Sequence, residues 1–234
     1  MSSFMGELIG TMLLILLGDG VVAGVSLNKS KAQNSGWIVI TTAWAIAVAV
    51  PAFMFGSISG SHFNPALTIA LAAIGKFPAN QVLSYIIAQM IGGILGAVLV
   101  YLMYLPHWKE TEDANAKLGV FCTAPAIRNT GANFISEVIG TFMLVFGILG
   151  LGAQKTADGV GTMYVGLLIF VIGLSLGGPT GYAINPARDL APRIAHTFLP
   201  IEGKRDSDWG YSWIPVLGPI VGGLIAAFLF QALF

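Results

Sequence analysis

The chain has 234 residues, 56% of them hydrophobic and only 9% charged, where a soluble domain carries roughly 25% charged residues. Eleven Lys and Arg balance eleven Asp and Glu, so no basic field exists to hold nucleic acid. With a mean hydropathy of +0.81, these values exclude a soluble nucleic-acid binder, a secreted disulfide scaffold and a disordered linker, and they identify an integral membrane protein.

In chain order, Met1 to Met5 lacks the basic stretch and small-residue cleavage site of a secretory signal, so the first apolar segment reads as a retained span. Six spans are predicted at about 4–26, 36–56, 81–104, 133–153, 161–178 and 211–232. Polar connections are expected at Ser26–Gly36, His107–Gly131, Gly152–Asp158 and Ile201–Trp209. Cys122 is alone, which excludes an intrachain disulfide and a cysteine-based metal site.

Two apolar pieces are too short to span. Phe63–Gly75 and Ile184–Phe198 each follow a Gly/Ser/Thr-rich approach and each open with Asn-Pro-Ala, at Asn64-Pro65-Ala66 and Asn185-Pro186-Ala187. Asn at the N-cap with Pro at the first helical position signals a helix start. About ten helical residues rise only about 15 Å, half the roughly 30 Å hydrocarbon core. Two such half-helices entering from opposite faces would meet near the midplane.

The chain also repeats itself. Glu7-Leu8-Ile9-Gly10-Thr11 returns as Glu137-Val138-Ile139-Gly140-Thr141, and an Asn-Pro-Ala follows each copy. Three spans per repeat is an odd number, so the second repeat (about 133–234) is inverted relative to the first (about 4–104). Inverted repeats of this kind build a substrate site at the midplane from interrupted helices. The fold class is therefore all-α: one transmembrane domain over residues 1–234, with six helices and two re-entrant half-helices.

At these residues the chain resembles the major intrinsic protein family, the aquaporins and aquaglyceroporins. The segments Gly60-Ser61-His62-Phe63-Asn64-Pro65-Ala66 and Gly181-Tyr182-Ala183-Ile184-Asn185-Pro186-Ala187-Arg188-Asp189 carry the resemblance, which is nearest the bacterial glycerol uptake facilitators. It implies a homotetramer with one pore per subunit, lying in a bacterial plasma membrane with both termini cytoplasmic. In that topology the inner connections hold Lys76 and Lys155, and the outer ones hold Lys29, Lys31, Lys109, Lys117, Arg128, Lys204 and Arg205. The positive-inside rule alone favours the reverse. The family orientation is preferred because its motifs are far more specific than a charge count.

Asn64 and Asn185 are expected to cap their half-helices through oxygen and to offer NH₂ donors at a central constriction. The two helix N-termini add a positive potential that repels protons and metal cations. The resemblance implies that Gly60, Ser61, His62, Phe63, Gly181, Tyr182, Ala183 and Ile184 turn backbone carbonyls to the lumen, as weak successive acceptors that permit flux. The His62 ring itself either braces its loop or contacts solute.

The resemblance further implies a selectivity filter of Trp44, Gly173, Tyr182 and Arg188. In it the two aromatics meet a carbon skeleton, the guanidinium donates to hydroxyls, and Gly173 leaves room where a water-only channel usually places His. Glu7 and Glu137 would brace the half-helix loops by accepting backbone N–H bonds. Asp19, whose counterpart in the second repeat is Leu149, should sit toward the outer end of its span, where its partner is either the outer vestibule or a lysine.

The implied activity is passive diffusion of glycerol, water and other small uncharged solutes, extending to dihydroxyacetone, urea and undissociated lactic acid. No enzyme activity, cofactor or metal is implied. The competing reading is a proton- or ion-coupled transporter, which would need titratable groups at the midplane.

Overall fold

A computed structural model describes residues 1–234, and every regular element in it is a helix. The first repeat comprises α1 (Ser3–Ser26), α2 (Trp37–Ser59), the half-helix α3 (Pro65–Ala73) and α4 (Val82–Met103). The second comprises α7 (Thr130–Gly152), α8 (Val160–Leu176), the half-helix α9 (Pro186–Phe198) and α10 (Ile214–Leu233). Between them the expected polar connection contains two short helices, α5 (His107–Glu110) and α6 (Ala114–Phe121). The sequence reading missed them because they are short. Asp113 caps α6 by accepting from Asn115 N at 2.8 Å, and Leu118, Val120 and Phe121 are buried beneath the connection.

Five helices are long and apolar enough to cross a membrane. The sixth, α8, is shorter at 17 residues, which still lies within the spanning range. Both half-helices begin as the local sequence dictates. Asn64 Oδ1 accepts from Ala66 N at 2.9 Å, and Asn185 Oδ1 accepts from Ala187 N at 3.0 Å. Pro65 and Pro186 occupy the first turn, where a missing N–H costs nothing.

The repeats interlock. α1 packs along α4 and α7 along α10, while each half-helix lies against the last helix of the opposite repeat, α3 on α10 and α9 on α4. Small residues make this close approach possible. A Cβ at Gly92 would fall 2.2 Å from the Leu8 carbonyl oxygen, and one at Gly222 would fall 2.2 Å from that of Val138. With no hydrophobic driving force between helices in lipid, such backbone proximity supplies the packing. The outward faces of the bundle remain apolar, with Phe53, Leu83, Met103, Met163, Leu167 and Phe228 all exposed.

Most of the excess basic residues in the connections are already engaged. Lys29 pairs with Glu110 and Arg128 with Asp208. Lys117 donates to the Glu202 carbonyl, Lys204 caps the carbonyls of His196, Thr197 and Leu199 at the end of α9, and Arg205 donates to Asn115 Oδ1.

Candidate functional site: a channel between the half-helices

A cavity of about 340 Å³ lies within the bundle. Of its 24 lining residues 14 are hydrophobic, among them Leu14, Val48, Leu144 and Ile169. The remainder of the wall comes from the two approaches, the two asparagines, Arg188, and Gly161 and Thr162 at the start of α8. No Asp or Glu lines it.

The approaches are held in backbone conformations that side chains normally avoid. Gly60, Ser61 and Phe63 have φ of 78°, 53° and 48°, and Gly181, Tyr182 and Ile184 have φ of 81°, 40° and 44°. The glycines adopt such φ freely, but the non-glycine residues cost about 1–3 kcal/mol each and persist only when their surroundings over-determine them. Here the two buried glutamates do so. Glu7 Oε1 accepts from Ser59 Oγ at 2.7 Å and His62 N at 2.9 Å, and its Oε2 accepts from Phe63 N at 2.7 Å and Gln89 Nε2 at 2.8 Å. Glu137 accepts from Thr180 Oγ1 at 2.7 Å, Ala183 N at 3.1 Å and Ile184 N at 2.8 Å. The pattern repeats in both halves.

At the junction of the half-helices the asparagines cross-link the repeats. Asn64 Nδ2 donates to the Ile184 carbonyl at 2.9 Å, and Asn185 Nδ2 donates to the Phe63 carbonyl at 2.8 Å. Each amide thus commits one of its two N–H groups to the protein and keeps one. The carbonyls of Phe63 and Ile184 are correspondingly engaged, while the approach residues beside them, Ser61, His62 and Ala183, also border the cavity. The His62 ring bonds Thr68 Oγ1 through Nδ1 at 3.0 Å and packs edge-on against Phe77. It therefore ties its loop to α3.

On the α6 side the cavity is lined by Trp44, Tyr182 and Arg188. The guanidinium carbon of Arg188 stands 4.2 Å from the Trp44 ring centroid, within cation–π range. Arg188 Nη1 donates to Asp19 Oδ1 at 2.9 Å and to the Phe121 carbonyl at 3.4 Å. Asp189 turns away to a separate pair. Its carboxylate accepts from Arg193 Nε at 2.8 Å and Nη2 at 3.0 Å, and from Thr123 N and Oγ1, both at 2.7 Å.

Gly173 stands on α8 directly behind the Tyr182 ring. A Cβ at Gly173 would meet Thr41 Cγ2, Tyr182 Cζ and Tyr182 Oη, each at 2.9 Å. The glycine makes space for the Tyr182 ring to lie against α8 at the edge of the cavity. The Tyr182 hydroxyl is buried there with no hydrogen-bond partner.

Sequence reasoning also missed Ser59, Gln89, Thr123 and Thr180, and it left Asp19 unassigned. Ser59 and Thr180 precede Gly60 and Gly181 at matching places in the two approaches, so aligning the approaches would have found both. Gln89 and Thr123 carry no such signal.

Comparison with known proteins agrees with this geometry. The major intrinsic protein family model matches residues 1–230. The chain is 62% identical over 234 residues, the full length of both chains, to a probable glycerol uptake facilitator protein of Thermotoga maritima. It is 60% identical to the glycerol uptake facilitator protein of Bacillus subtilis, over all of this chain and 85% of that one. The solved aquaglyceroporin of Plasmodium falciparum superposes with a TM-score of 0.87 at 28% identity, covering 98% of this chain and 94% of that one. The chain is a multi-pass membrane protein with the aquaporin fold, and it belongs to the major intrinsic protein family.

Proposed function

We propose that this protein is a passive channel for glycerol and other small uncharged solutes, water among them, and that it excludes protons and ions. The observation that carries the reading is the mixed lining of the cavity, which brings the apolar side chains of Leu14, Val48, Leu144 and Ile169 together with the two approaches, Asn64, Asn185 and Arg188. A polyol presents carbon on one side and hydroxyls on the other, and such a lining matches both at once. The glycerol uptake facilitators to which the chain is similar support the same solute class.

Within this reading Trp44, Tyr182 and Arg188 form the selectivity filter, with Gly173 as the seat of the tyrosine ring. Asn64 and Asn185 form the central constriction. There the half-helix N-termini direct partial positive charge at the lumen, so a neutral oxygen is held as an acceptor and a cation is repelled. Lactic acid would pass only undissociated, because an incompletely compensated anion is costly in a narrow apolar channel.

A coupled transporter is less well supported. Glu7 and Glu137 are fully buried, with both oxygens of each already accepting hydrogen bonds. Apart from His62, whose ring is tied to Thr68, that leaves the midplane to amides and backbone. We further infer a homotetramer in a bacterial plasma membrane with cytoplasmic termini, supported by the family membership and the exposed apolar helix faces. The engaged basic residues of the connections weaken the opposing charge argument.

The test is stopped-flow light scattering on proteoliposomes under a glycerol gradient, with and without a protonophore. Rapid protein-dependent glycerol entry that the protonophore leaves unchanged is expected. Entry that collapses with the protonophore, or a steady ionic current through the protein, would overturn the passive-channel reading.

A further inference from the structure

The filter proposed above draws its side chains from α2, the second approach and α9, yet α1 shapes it from behind through two consecutive residues. Gly18 is the first. A Cβ there would lie 2.3 Å from the Trp44 ring, so the indole sits directly on the α1 backbone. Asp19 is the second. It is fully buried, and its Oδ1 takes the Arg188 Nη1 bond at 2.9 Å.

The remaining oxygen, Oδ2, is buried with no hydrogen-bond partner. A carboxylate placed there for packing alone would be a costly choice, because a buried charge needs pairing and its other lone pairs need donors. The second repeat shows what packing alone selects. At the equivalent position stands Leu149, which joins an apolar cluster with Leu67, Ala70 and Phe230. The repeat symmetry is broken where the filter arginine needs a partner.

The charges around this site balance. Arg193 and Asp189, both fully buried, neutralise one another one helical turn further along α9. Arg188 would otherwise be the only uncompensated charge facing the lumen. An exposed guanidinium at a constriction is a good seat for a small carboxylate, since it presents several donors in a fixed fork. A carboxylate seated there would block the path of neutral solutes.

We propose that Asp19 is a specificity-determining positioning residue, which holds Arg188 against the channel wall beside Trp44 and cancels its charge, so that the filter donates hydrogen bonds to neutral hydroxyls without trapping small organic anions. This rests on the assignment of Arg188 to the filter. Asp19 touches no solute and acts wholly through the arginine. A neutral, protonated Asp19 would lack this effect, and the experiment separates the two cases.

The experiment compares wild type with Asp19→Asn and Asp19→Ala as full-length protein in proteoliposomes. The asparagine keeps the shape and an oxygen acceptor for Arg188 Nη1 while removing the charge. Glycerol and water fluxes are read without and with sodium glycerate at neutral pH, an anion with glycerol's skeleton. Sodium gluconate, a larger carboxylate, controls for ionic strength.

Without added anion, Asp19→Asn should conduct glycerol like wild type. With glycerate, wild-type flux should hold while the Asp19→Asn flux falls roughly tenfold, equivalent to about 1.4 kcal/mol of added anion affinity. Asp19→Ala should show the same block and, with its tether gone, a changed ratio of glycerol to water flux. Glycerate block of wild type, or an Asp19→Asn channel as indifferent to glycerate as wild type, would overturn the proposal. Glycerate block of wild type overturns the proposal even if neither variant folds. Wild type that conducts water but no glycerol would instead refute the glycerol reading, and anion block would then be read from water flux alone.

Discussion

Replacing Gly173 with alanine tests whether this glycine acts by seating Tyr182 rather than by widening the lumen. The new Cβ would lie 2.9 Å from Thr41 Cγ2 and from Tyr182 Cζ and Oη. Favourable carbon contacts lie near 3.5–4.0 Å, so something must move by roughly 0.6 Å or more. Thr41 is fully buried on α2, and Trp37 stands edge-on to the tyrosine, with ring centroids 5.8 Å apart. The open direction for the ring is the cavity it already borders. Overpacking of this kind costs about 1–3 kcal/mol. If the displaced ring adds only about 1.4 kcal/mol to the barrier for glycerol, flux falls about tenfold. Water is smaller and should lose much less. The assay is stopped-flow light scattering of glycerol and water through the same vesicles, normalised to incorporated protein. Adding Tyr182→Ala to Gly173→Ala removes the colliding ring and should return most of the glycerol flux. Unchanged glycerol flux in the single variant, or equal loss of both fluxes from protein of normal thermal stability, would refute the seating argument.

Tyr182→Phe removes a buried hydroxyl that has no partner. Relief of that desolvation should leave stability unchanged or raise it by about 1 kcal/mol, with glycerol flux preserved; thermal unfolding in detergent and the vesicle assay check both. Glu137→Gln swaps an acceptor for a donor beside either Ile184 N or the pair Thr180 Oγ1 and Ala183 N. It should lower stability by about 1–3 kcal/mol and reduce flux because the left-handed approach loosens. Glu7→Gln should behave alike, since both its oxygens accept backbone N–H groups. Arg193→Leu strands the fully buried Asp189 with only Thr123 as donor; the expected loss is about 3–5 kcal/mol, seen as a fall in the unfolding temperature.

The parts of this channel legible in the sequence are those encoded locally or written twice. Asn64-Pro65 and Asn185-Pro186 announce helix starts wherever they occur, and the short apolar run after each is too brief to span, which forces a re-entrant path. Glu7 and Glu137 were legible because each opens a repeat, and one brace in an inverted repeat implies the other. The position of Gly173 could not be read in this way. A glycine in an apolar helix says that something approaches closely, but whether lumen or ring fills the space depends on the rotation of α8 and on the backbone of Tyr182, whose φ of 40° leaves no trace in composition. The short helices α5 and α6 were hidden because a connection rich in charge at its surface can still bury Trp108, Val120 and Phe121 beneath it.

The partner of Asp19 lies 169 residues away, beyond any local pattern, yet a charge-pairing argument comes close to it. In an apolar chain every buried charge must find a counter-charge or several donors. Four charged side chains gather at the filter end of the bundle: Asp19, Arg188, Asp189 and Arg193. Asp189 and Arg193 stand at the i,i+4 spacing that favours a pair on one helix face, and they form it. Their pairing leaves Arg188, on a different face of α9, without an acid on its own helix. Asp19 is the acid that remains, set toward the same end of the neighbouring repeat. Pairing by elimination thus reaches the contact that the fold makes, and it fails only where a carbonyl such as that of Phe121 shares the work, because backbone acceptors are present everywhere and identify nothing.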